Sequence, residues 1–332
     1  MTPDWRLATG DCCTTTDNSY MPSYLVTGGA GFIGSHLAEE LLRRGERVRI
    51  VDSFITGKRE NLAHLSKAEF IEGDLADLPV ATKAVAGMDY VLHQAAIPSV
   101  PRSVEDPIRS NRANIDSTLN VLVAARDAKV KRIVYAGSSS AYGNTPTLPK
   151  QEDMPNNPLS PYALQKLVGE QYLQMFTQLY GLETVTTRYF NVFGPRQDPS
   201  SAYSGVISVF SKALLENRSP TIYGDGEQTR DFTYIANVVD GVLRACTAPN
   251  VSGAVINVAT GARISLNQLF GALRELIGSA VNVNYAPVRS GDVKDSQADI
   301  TRAKQLLGYT PLVSFEEGLR RTVEWYRKES DS

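Results

Sequence analysis

A tyrosine and a lysine four residues apart, Tyr162 and Lys166 in the stretch SPYALQK, could together move a proton. On a helix this spacing places both side chains on one face of the first two turns. Tyrosine ordinarily ionises at about pH 10. A neighbouring ammonium and the helix N-terminus would favour the phenolate that a general base needs near neutral pH. By itself a YxxxK spacing is common and favours an ordinary amphipathic helix; the functional interpretation depends on the glycine turn and the serine run described next.

Three consecutive serines, Ser138 to Ser140 in the stretch AGSSSAYG, follow the apolar run IVYA. Their hydroxyls could hydrogen-bond a reacting oxygen, or they could only cap and turn the chain. No acidic or basic residue stands among them. The run therefore predicts either a neutral hydroxyl site or a simple turn.

A glycine-rich turn, GGAGFIG at 28–34, follows the first apolar run and leads into a helix-like segment. Glycines at 28, 31 and 34 would let the turn close and let a pyrophosphate approach the helix N-terminus. Asp52 ends the next apolar run, at the distance expected for a carboxylate that binds the adenosine ribose. This carboxylate favours NAD over NADP because it would repel a 2′-phosphate. Asp74 could hydrogen-bond the adenine or, equally, cap a helix.

The elements that must hold these residues alternate along the chain. Strands are expected over 23–27, 47–52, 69–74, 88–96, 132–139 and 183–194. Helices are expected over 35–45, around 108–129, and from Ser160 onward, with Ser160 as the N-cap and Pro161 in the first turn. This repeated order predicts an α/β fold with a Rossmann-type doubly wound parallel sheet.

Three segments are expected to differ in organisation. Residues 1–22 are rich in Thr, Asp, Asn and Ser and are expected to form a disordered tail, with Met21 as an alternative start. Residues 23–190 form the predicted NAD-binding Rossmann domain, with a later return segment near 232–262. Prolines and glycines punctuate shorter elements after Gly194, so 191–330 is expected to form a smaller α/β substrate lobe.

Composition excludes several classes of protein. The 332 residues carry a net charge of −2, so no basic field favours nucleic acid or anionic lipid. No apolar run approaches the roughly 18 residues of a membrane span, and the N-terminus lacks the pattern of a secretory signal. The three cysteines and three histidines show no metal-ligand spacing. A cytoplasmic protein without metal, nucleic-acid or membrane partners is expected.

Five motifs in this order resemble one family. They are GGAGFIG (28–34), HQAA (93–96), SSSAYG (138–143), YALQK (162–166) and RYFNVFGPR (188–196). Together they resemble the extended short-chain dehydrogenase/reductase family, and within it the NAD-dependent nucleotide-sugar epimerases of bacteria that act on UDP-N-acetylglucosamine and UDP-glucose. The resemblance runs from Tyr24 almost to the C-terminus. It implies NAD on the Rossmann domain and a nucleotide sugar between the two lobes.

The resemblance also implies roles for individual residues. Tyr162 would take a proton from a sugar hydroxyl while a hydride leaves the same carbon, and Lys166 would hold the nicotinamide ribose and lower the tyrosine pKa. Ser138, with Ser139 as the next candidate, would share the hydrogen bond to the sugar oxygen. The residues expected at NAD are Gly28, Gly31, Phe32, Ile33, Gly34, Asp52, Asp74, Leu75, Gln94, Ala95, Ala96, Asn114, Tyr162, Lys166 and Tyr189. Those expected at the UDP-sugar are Ser139, Ser140, Asn191, Arg230, Arg289, Asp292 and Ser296.

In these substrate contacts, Asn191 would meet the sugar or diphosphate. The guanidinium groups of Arg230 and Arg289 would fork onto diphosphate oxygens. Asp292 would hydrogen-bond the uridine ribose. For each of these residues a salt bridge at the surface or between the lobes is the alternative interpretation.

Two features favour one member of the family. Dehydratases of the family carry acids directly after the catalytic hydroxyl, whereas Ser139 and Ser140 are neutral, which favours a 4-epimerase. Ser296 stands where a bulky tyrosine restricts some epimerases to glucose and galactose, so an acetamido sugar is expected to fit. It could also be an innocuous loop residue. The expected activity is C4 inversion of UDP-GlcNAc/UDP-GalNAc, with UDP-Glc/UDP-Gal also accepted, for surface polysaccharide synthesis.

Other interpretations stay open at this stage. Another NAD-dependent nucleotide-sugar enzyme, such as a UDP-glucuronate 4-epimerase, dehydratase or reductase, would use the same residues. A non-catalytic NAD-binding regulator is a third possibility, against which intact Ser138, Tyr162 and Lys166 argue. The helices near 108–129 and 161–180 carry apolar residues on more than one side, which predicts a homodimer; a deeply buried helix in a monomer is the alternative.

Overall fold

Seven parallel strands form the central sheet. The computed structural model describes residues 21–199, 205–288 and 293–330. The strands of this described part are β1 (Ser23–Thr27), β2 (Arg47–Asp52), β3 (Glu69–Glu72), β4 (Tyr90–His93), β5 (Arg132–Ser138), β6 (Glu183–Tyr189), β7 (Val192–Phe193), β8 (Thr221–Tyr223), β9 (Thr229–Arg230), β10 (Thr233–Tyr234), β11 (Ala254–Val258), β12 (Ile264–Ser265) and β13 (Asn284–Ala286). The central sheet has the order β11-β6-β5-β4-β1-β2-β3. The Rossmann-type doubly wound sheet predicted from the sequence is confirmed.

Helices cover both faces of this sheet. They are α1 (Phe32–Arg43), α2 (Leu78–Val85), α3 (Val100–Glu105), α4 (Pro107–Asn111), α5 (Ser117–Asp127), α6 (Pro161–Tyr180), α7 (Val206–Leu215), α8 (Ile235–Thr247), α9 (Leu266–Ile277), α10 (Thr301–Leu307) and α11 (Phe315–Ser330). Successive strand residues point to opposite faces, so Leu25 joins the core under α2, α5 and α6, while Val26 joins the core under α1 and α8. Burial on both faces explains the continuous apolar runs of the parallel strands.

Several expected boundaries differ from the structure: the strand expected over 88–96 is Tyr90–His93, and the helix expected over 35–45 is Phe32–Arg43. The strand expected over 183–194 ends at Tyr189, because Asn191 adopts a positive φ of 27° and separates the short β7 from it. The third strand ends at Glu72 rather than at residue 74. The helix expected around 108–129 is divided into α4, a π-helical turn at Arg112–Asp116, and α5.

The C-terminal part adds short two-stranded sheets to the central one. β7 pairs with β10, β9 with β12 and β8 with β13. Residues 254–258 return to the central sheet as its edge strand β11, which pairs with β6. Helices α7, α9 and α11 pack against one another beside these small sheets.

Within the described ranges, none of the helices has the length and apolar character needed to cross a membrane.

Candidate active site

A cavity of about 1270 Å³ lies at the carboxyl ends of the central strands. In a doubly wound sheet this edge is where ligands bind. The predicted site residues that line it are Gly28, Gly31, Phe32, Ile33, Gly34, Asp52, Asp74, Leu75, Gln94, Ala95, Ala96, Ser138, Ser139, Ser140, Tyr162, Lys166, Tyr189, Asn191, Arg230 and Ser296. Residues separated by more than 250 positions in the chain therefore meet in one place.

Three predicted site residues are not brought to the described cavity wall. Arg289 and Asp292 lie outside the described residues. Asn114 is only 1% exposed and lies beneath the wall, where its amide bonds Ile97 and Gln165. The expectation that Asn114 contacts the cofactor directly is not supported, because both ends of its amide already have protein partners.

The glycine turn leaves a cradle that side chains would fill. Gly28 has a φ of +64°, and a Cβ there would lie 2.8 Å from the Cα of Ala95. A Cβ at Gly34 would collide with the carbonyl oxygen of Gly28. Helix α1 starts at Phe32, so its N-terminus follows the turn directly. Open backbone beside a helix N-terminus fits a pyrophosphate.

Asp52 holds the turn together at the end of β2. Its carboxylate accepts hydrogen bonds from the N–H of Ala30 at 2.9 Å and of Phe54 at 2.8 Å. Burial raises the pKa of Asp52, while these backbone donors act to lower it. Each carboxylate oxygen keeps a lone pair for a further donor. The position and chemistry therefore fit a ribose diol.

Asp74 lies two residues beyond β3 and accepts a hydrogen bond from the N–H of Ala76 at 2.9 Å. Helix α2 begins after Asp77, so the alternative that Asp74 caps this helix is wrong. Its side chain closes a local turn at the cavity wall instead. The predicted contact with adenine stays a prediction.

Helix α6 carries the tyrosine–lysine pair and starts as predicted. Ser160 is the N-cap, and its Oγ accepts a hydrogen bond from the N–H of Ala163 at 3.2 Å. The N–H of Tyr162 donates to Ser103 Oγ of α3 at 3.0 Å. These contacts fix the first turn, which projects Tyr162 and Lys166 into the cavity.

Lys166 is almost fully buried. Its Nζ donates to the carbonyl oxygen of Ala136 at 2.9 Å and lies 4.8 Å from the centre of the Tyr135 ring. Burial lowers the pKa of Lys166 to about 7. The ammonium is therefore close to losing its proton at neutral pH.

The pKa of Tyr162 moves in the direction opposite to the one expected. Burial of the phenol raises this pKa, and a hydrogen bond with Ser138 acts to lower it. The expected lowering by Lys166 is not found in the protein by itself, since its Nζ is directed to the Ala136 carbonyl. The Ser138 hydrogen bond is thus the contribution from this chain that favours the phenolate.

The serine run turns at the cavity wall. Ser138 ends β5, and Ser139–Tyr142 forms a 3₁₀ turn. Ser138 Oγ lies 2.8 Å from Ser140 Oγ and accepts from the Ser140 N–H at 3.2 Å. The run therefore forms the capped turn, and Ser138 also hydrogen-bonds Tyr162; the role of these hydroxyls at a reacting oxygen stays a prediction.

Each described acid of the cavity already has a protein partner. Asp52, Asp74, Asp198 and Asp295 line its described part, and no glutamate does. Asp198 pairs with Lys58 at 3.0 Å, and Asp295 accepts from Thr229 Oγ1 at 2.6 Å. Among the described residues there is also no cluster of His, Cys, Asp and Glu that could hold a metal ion.

The opposite wall comes from the C-terminal part of the chain. Arg230 ends β9 and donates to the backbone oxygens of Thr229 and Lys294, each at 2.9 Å. The N–H of Ser296 donates to the same Thr229 oxygen at 3.1 Å. Asn191 Nδ2 donates to the Asp231 oxygen at 3.2 Å. Arg230 and Ser296 are thereby held side by side.

Sequence reasoning missed several residues of the site. Arg196, which ends the motif RYFNVFGPR, and Asp198, two residues later, both line the cavity, so the motif itself was the available signal. Lys150 also lines it, without any such signal. His93 of the motif HQAA is buried between Thr27 and Thr118, and burial lowers its pKa to about 3. The neutral His93 thereby links Thr27 of β1 to Thr118 of α5.

A doubly wound sheet, a glycine cradle and a tyrosine–lysine helix at one cavity define a Rossmann-type dinucleotide-binding enzyme. The sequence matches the NAD dependent epimerase/dehydratase family over residues 24–259, and the chain belongs to this family. NAD is therefore its cofactor, and the cradle and Asp52 fit that group.

The known proteins that are similar to this chain are named for different UDP-sugars. The UDP-glucose 4-epimerase of Mycolicibacterium smegmatis is 41% identical over 311 residues, which cover 92% of this chain and 99% of that protein. The UDP-glucuronate 4-epimerase of Thermodesulfobacterium geofontis is 38% identical over 322 residues, covering 93% and 97%. The solved UDP-N-acetylglucosamine 4-epimerase of Methanobrevibacter ruminantium M1, in complex with UDP-N-acetylmuramic acid, has a TM-score of 0.90 at 40% identity, covering 94% and 100%.

Proposed function

We propose that the protein is an NAD-dependent UDP-sugar 4-epimerase that inverts C4 of UDP-GlcNAc/UDP-GalNAc and also accepts UDP-Glc/UDP-Gal. The observation that carries this proposal is the neutral wall around Tyr162. Ser138, Ser139 and Ser140 are uncharged, and no glutamate lines the described part of the cavity. Inversion requires a proton to leave and return at one oxygen, whereas elimination of water requires a further acid. The described residues supply the first set of groups, and the serine run after Ser138 carries no acid for the second.

The residues proposed to hold NAD form the inner half of the cavity. The backbone at Gly28, Gly31 and Gly34 would face the pyrophosphate, and the carboxylate of Asp52 would accept from the adenosine ribose. Lys166 would donate to the nicotinamide ribose. When bound, NAD supplies hydride acceptance from the sugar carbon and hydride return to it.

Tyr162 is the proposed general base and acid. Its phenol oxygen would take the proton of the sugar C4 hydroxyl and give it back after the 4-keto sugar has turned. Ser138 would share the hydrogen bond to the same sugar oxygen and stabilise the charge on the phenol. Asn191 and Arg230, with Arg289 and Asp292, would hold the nucleotide so that either face of C4 can be presented.

The acetamido preference rests on the size of Ser296. This small side chain lines the cavity beside Arg230, where a tyrosine would reduce the available space. A pocket that admits the larger sugar discriminates only weakly against a smaller one. The relatives named for UDP-N-acetylglucosamine and UDP-glucose support both substrates.

A panel of sugars tests the proposal. Purified protein is incubated with UDP-GlcNAc, UDP-Glc and UDP-glucuronate, and the products are separated by anion-exchange chromatography. We expect C4 epimers of the first two. The Ser296→Tyr variant should lose turnover of UDP-GlcNAc by roughly 10-fold to 200-fold and keep that of UDP-Glc, because the tyrosine fills the acetamido space.

Ser66→Tyr, at an exposed position away from the cavity, is the matched control and should change neither activity. Equal loss of both sugars in Ser296→Tyr would contradict the proposed role of this wall. Absence of any C4 epimer from wild-type protein would contradict the function itself.

UDP-glucuronate 4-epimerase is the second candidate, favoured by the Thermodesulfobacterium geofontis relative. The panel separates it from the main proposal, since it predicts turnover of the uronate and none of UDP-GlcNAc. A product lighter by one water would indicate a dehydratase, and net cofactor reduction or oxidation a reductase. A protein that binds NAD and converts none of the sugars would be a non-catalytic regulator.

The proposed setting of the enzyme is a cytoplasmic homodimer that supplies sugars for surface polysaccharide. Exposed apolar side chains support the dimer. Leu164, Met175 and Leu179 on α6 are 50%, 49% and 66% exposed, and Ile108 on the neighbouring α4 is 83% exposed. At 100° per residue the three α6 side chains fall within about 60° of one another, on the side opposite Tyr162 and Lys166.

A further inference from the structure

Gln165 stands directly before Lys166 in the catalytic helix, yet it plays no part in the proton transfer described above. Its side chain is 4% exposed. Its Oε1 accepts two hydrogen bonds, from Asn114 Nδ2 at 2.7 Å and from Ser110 Oγ at 2.8 Å. A buried amide oxygen with two side-chain donors is a fixed point between α6 and the preceding helices.

Asn114 connects this fixed point to the cofactor side of the cavity. Its Oδ1 accepts the N–H of Ile97 at 2.7 Å. Ile97 follows Gln94, Ala95 and Ala96, the loop against which the glycine turn packs. The π-helical turn at Arg112–Asp116 adds a residue to the helix there, and Asn114 lies buried within it. Such turns often mark functional sites.

A separate anchor lies one turn before Gln165, at Tyr162 in the first turn of α6. The N–H of Tyr162 donates to Ser103 Oγ, and Ser103 Oγ donates to the carbonyl oxygen of Val100 at 2.7 Å. Polar contacts at several points along one helix fix its rotation about its own axis, and the Glu170–Arg188 ion pair is another of them on α6. Gln165 is the anchor that ties the catalytic turns to Ser110 and Asn114.

We propose that Gln165 is a positioning residue that sets the rotation of α6, and hence the place of the Tyr162 phenol relative to the loop at 94–97. The inference rests on the proposed function for its kinetic consequences. Loss of the Gln165 oxygen removes the acceptor of the buried Ser110 hydroxyl and leaves Asn114 Nδ2 only its longer contacts with Ile97 O and Ser110 Oγ, each at 3.4 Å, which loosens the contact between the helices. A displacement of 1 Å at a reacting group costs on the order of 100-fold in rate.

The test replaces Gln165 by methionine, which has similar length and no acceptor oxygen, in the holoenzyme. We expect kcat to fall by roughly 10-fold to 100-fold while KM changes less than about threefold, because the substrate contacts are untouched. Gln165→Glu keeps the acceptor and should restore kcat to within about threefold of wild type. Gln171→Met, on the exposed side of the same helix, is the matched control.

A second readout does not depend on turnover. The pKa of the Tyr162 phenol is measured from ultraviolet absorbance, as the difference between each variant and the same variant carrying Tyr162→Phe. The Ser138 hydrogen bond lowers this pKa. A rolled helix weakens it, so the pKa should rise in Gln165→Met by roughly half to one unit, the equivalent of one neutral hydrogen bond.

Ser110→Ala removes one of the two donors and should give a smaller loss of kcat that is not additive with Gln165→Met. An unchanged Tyr162 pKa in Gln165→Met, or a fall in melting temperature with kcat equal to that of Gln171→Met, would overturn the proposal. If wild-type protein turns over no UDP-sugar, the proposed function fails, and the tyrosine titration still decides the positioning role.

Discussion

Lys166 combines a reactive position with an environment unfavourable to its charge. Burial lowers the pKa of this side chain from 10.5 to about 7, and the neutral carbonyl of Ala136 is its hydrogen-bond acceptor. A dipole stabilises an ammonium less than a carboxylate does, so the folded protein holds the proton weakly. Bound ribose hydroxyls would add further acceptors and strengthen this hold.

Because the folded protein binds the Lys166 proton weakly, we predict that the free energy of unfolding of the cofactor-free protein rises with pH. The unfolded chain keeps the Lys166 proton up to its ordinary pKa of 10.5, whereas the folded chain releases it above about 7. Between these values the unfolded state binds more protons, so the free energy of unfolding rises by up to about 1.4 kcal/mol per pH unit. Below pH 7 both states bind the proton, and the full penalty of the buried charge remains.

Urea unfolding of wild type and Lys166→Met from pH 7 to 8.5 measures this effect. Methionine lacks the titrating group, so its free energy of unfolding should rise less steeply than that of wild type. Groups common to both proteins cancel in the comparison. Equal slopes would mean that Lys166 is not the group whose proton affinity changes on folding.

Helix α6 serves two surfaces at once. One side directs Tyr162 and Lys166 into the cavity and buries Leu173 against the sheet. A buried ion pair, Arg188 with Glu170 at 2.6 Å, fastens the same helix to β6. The opposite side exposes a stripe of apolar side chains, and such a stripe is typical of an interface with another protein surface.

The apolar stripe predicts that a charge on it prevents dimer formation. Leu179→Arg would place a guanidinium in the proposed interface, where it has no partner. Sedimentation equilibrium should give about twice the chain mass of 36.2 kDa for wild type and a single chain mass for the variant. Leu312→Arg, at a leucine 60% exposed on another part of the surface, should remain dimeric. A wild-type monomer would contradict the assignment of this face.

Most elements could be predicted from local patterns, and those that could not depend on tertiary contacts or on an unusual backbone conformation. The cap at Ser160 and the strands at 23–27 and 47–52 follow from caps and apolar runs, which are short-range signals. The extra residue in the turn at 112–116 carries no such signal, because it is stabilised by tertiary hydrogen bonds of Asn114. The strand break at Asn191 likewise depends on a backbone conformation that a single asparagine does not specify.

The assembled molecule brings the two halves of the chain together around one cavity. Its inner wall comes from the strand ends, and its outer wall includes Asn191, Val192, Arg196, Gln197, Asp198, Arg230, Val293, Asp295 and Ser296. Ion pairs join the two walls, with Lys58 and Asp198 at 3.0 Å and Arg196 bonded to Glu39. The glycine turn and the tyrosine–lysine pair could be found from sequence because each is contiguous. The ion pairs across the cavity could not be found from sequence, because the two residues of each pair are far apart in the chain and no local pattern links them.

The central claim is that one carbon loses and regains its hydride while Tyr162 handles the proton of the attached oxygen. UDP-GlcNAc carrying deuterium at C4 is incubated with the protein in ordinary water, and the product is examined by NMR, with Tyr162→Phe as the inactive comparison. The account predicts UDP-GalNAc that retains the deuterium at C4, and no product from the variant. Deuterium at C6 with loss of water, exchange of the C4 deuterium with solvent, or equal turnover by Tyr162→Phe would contradict it.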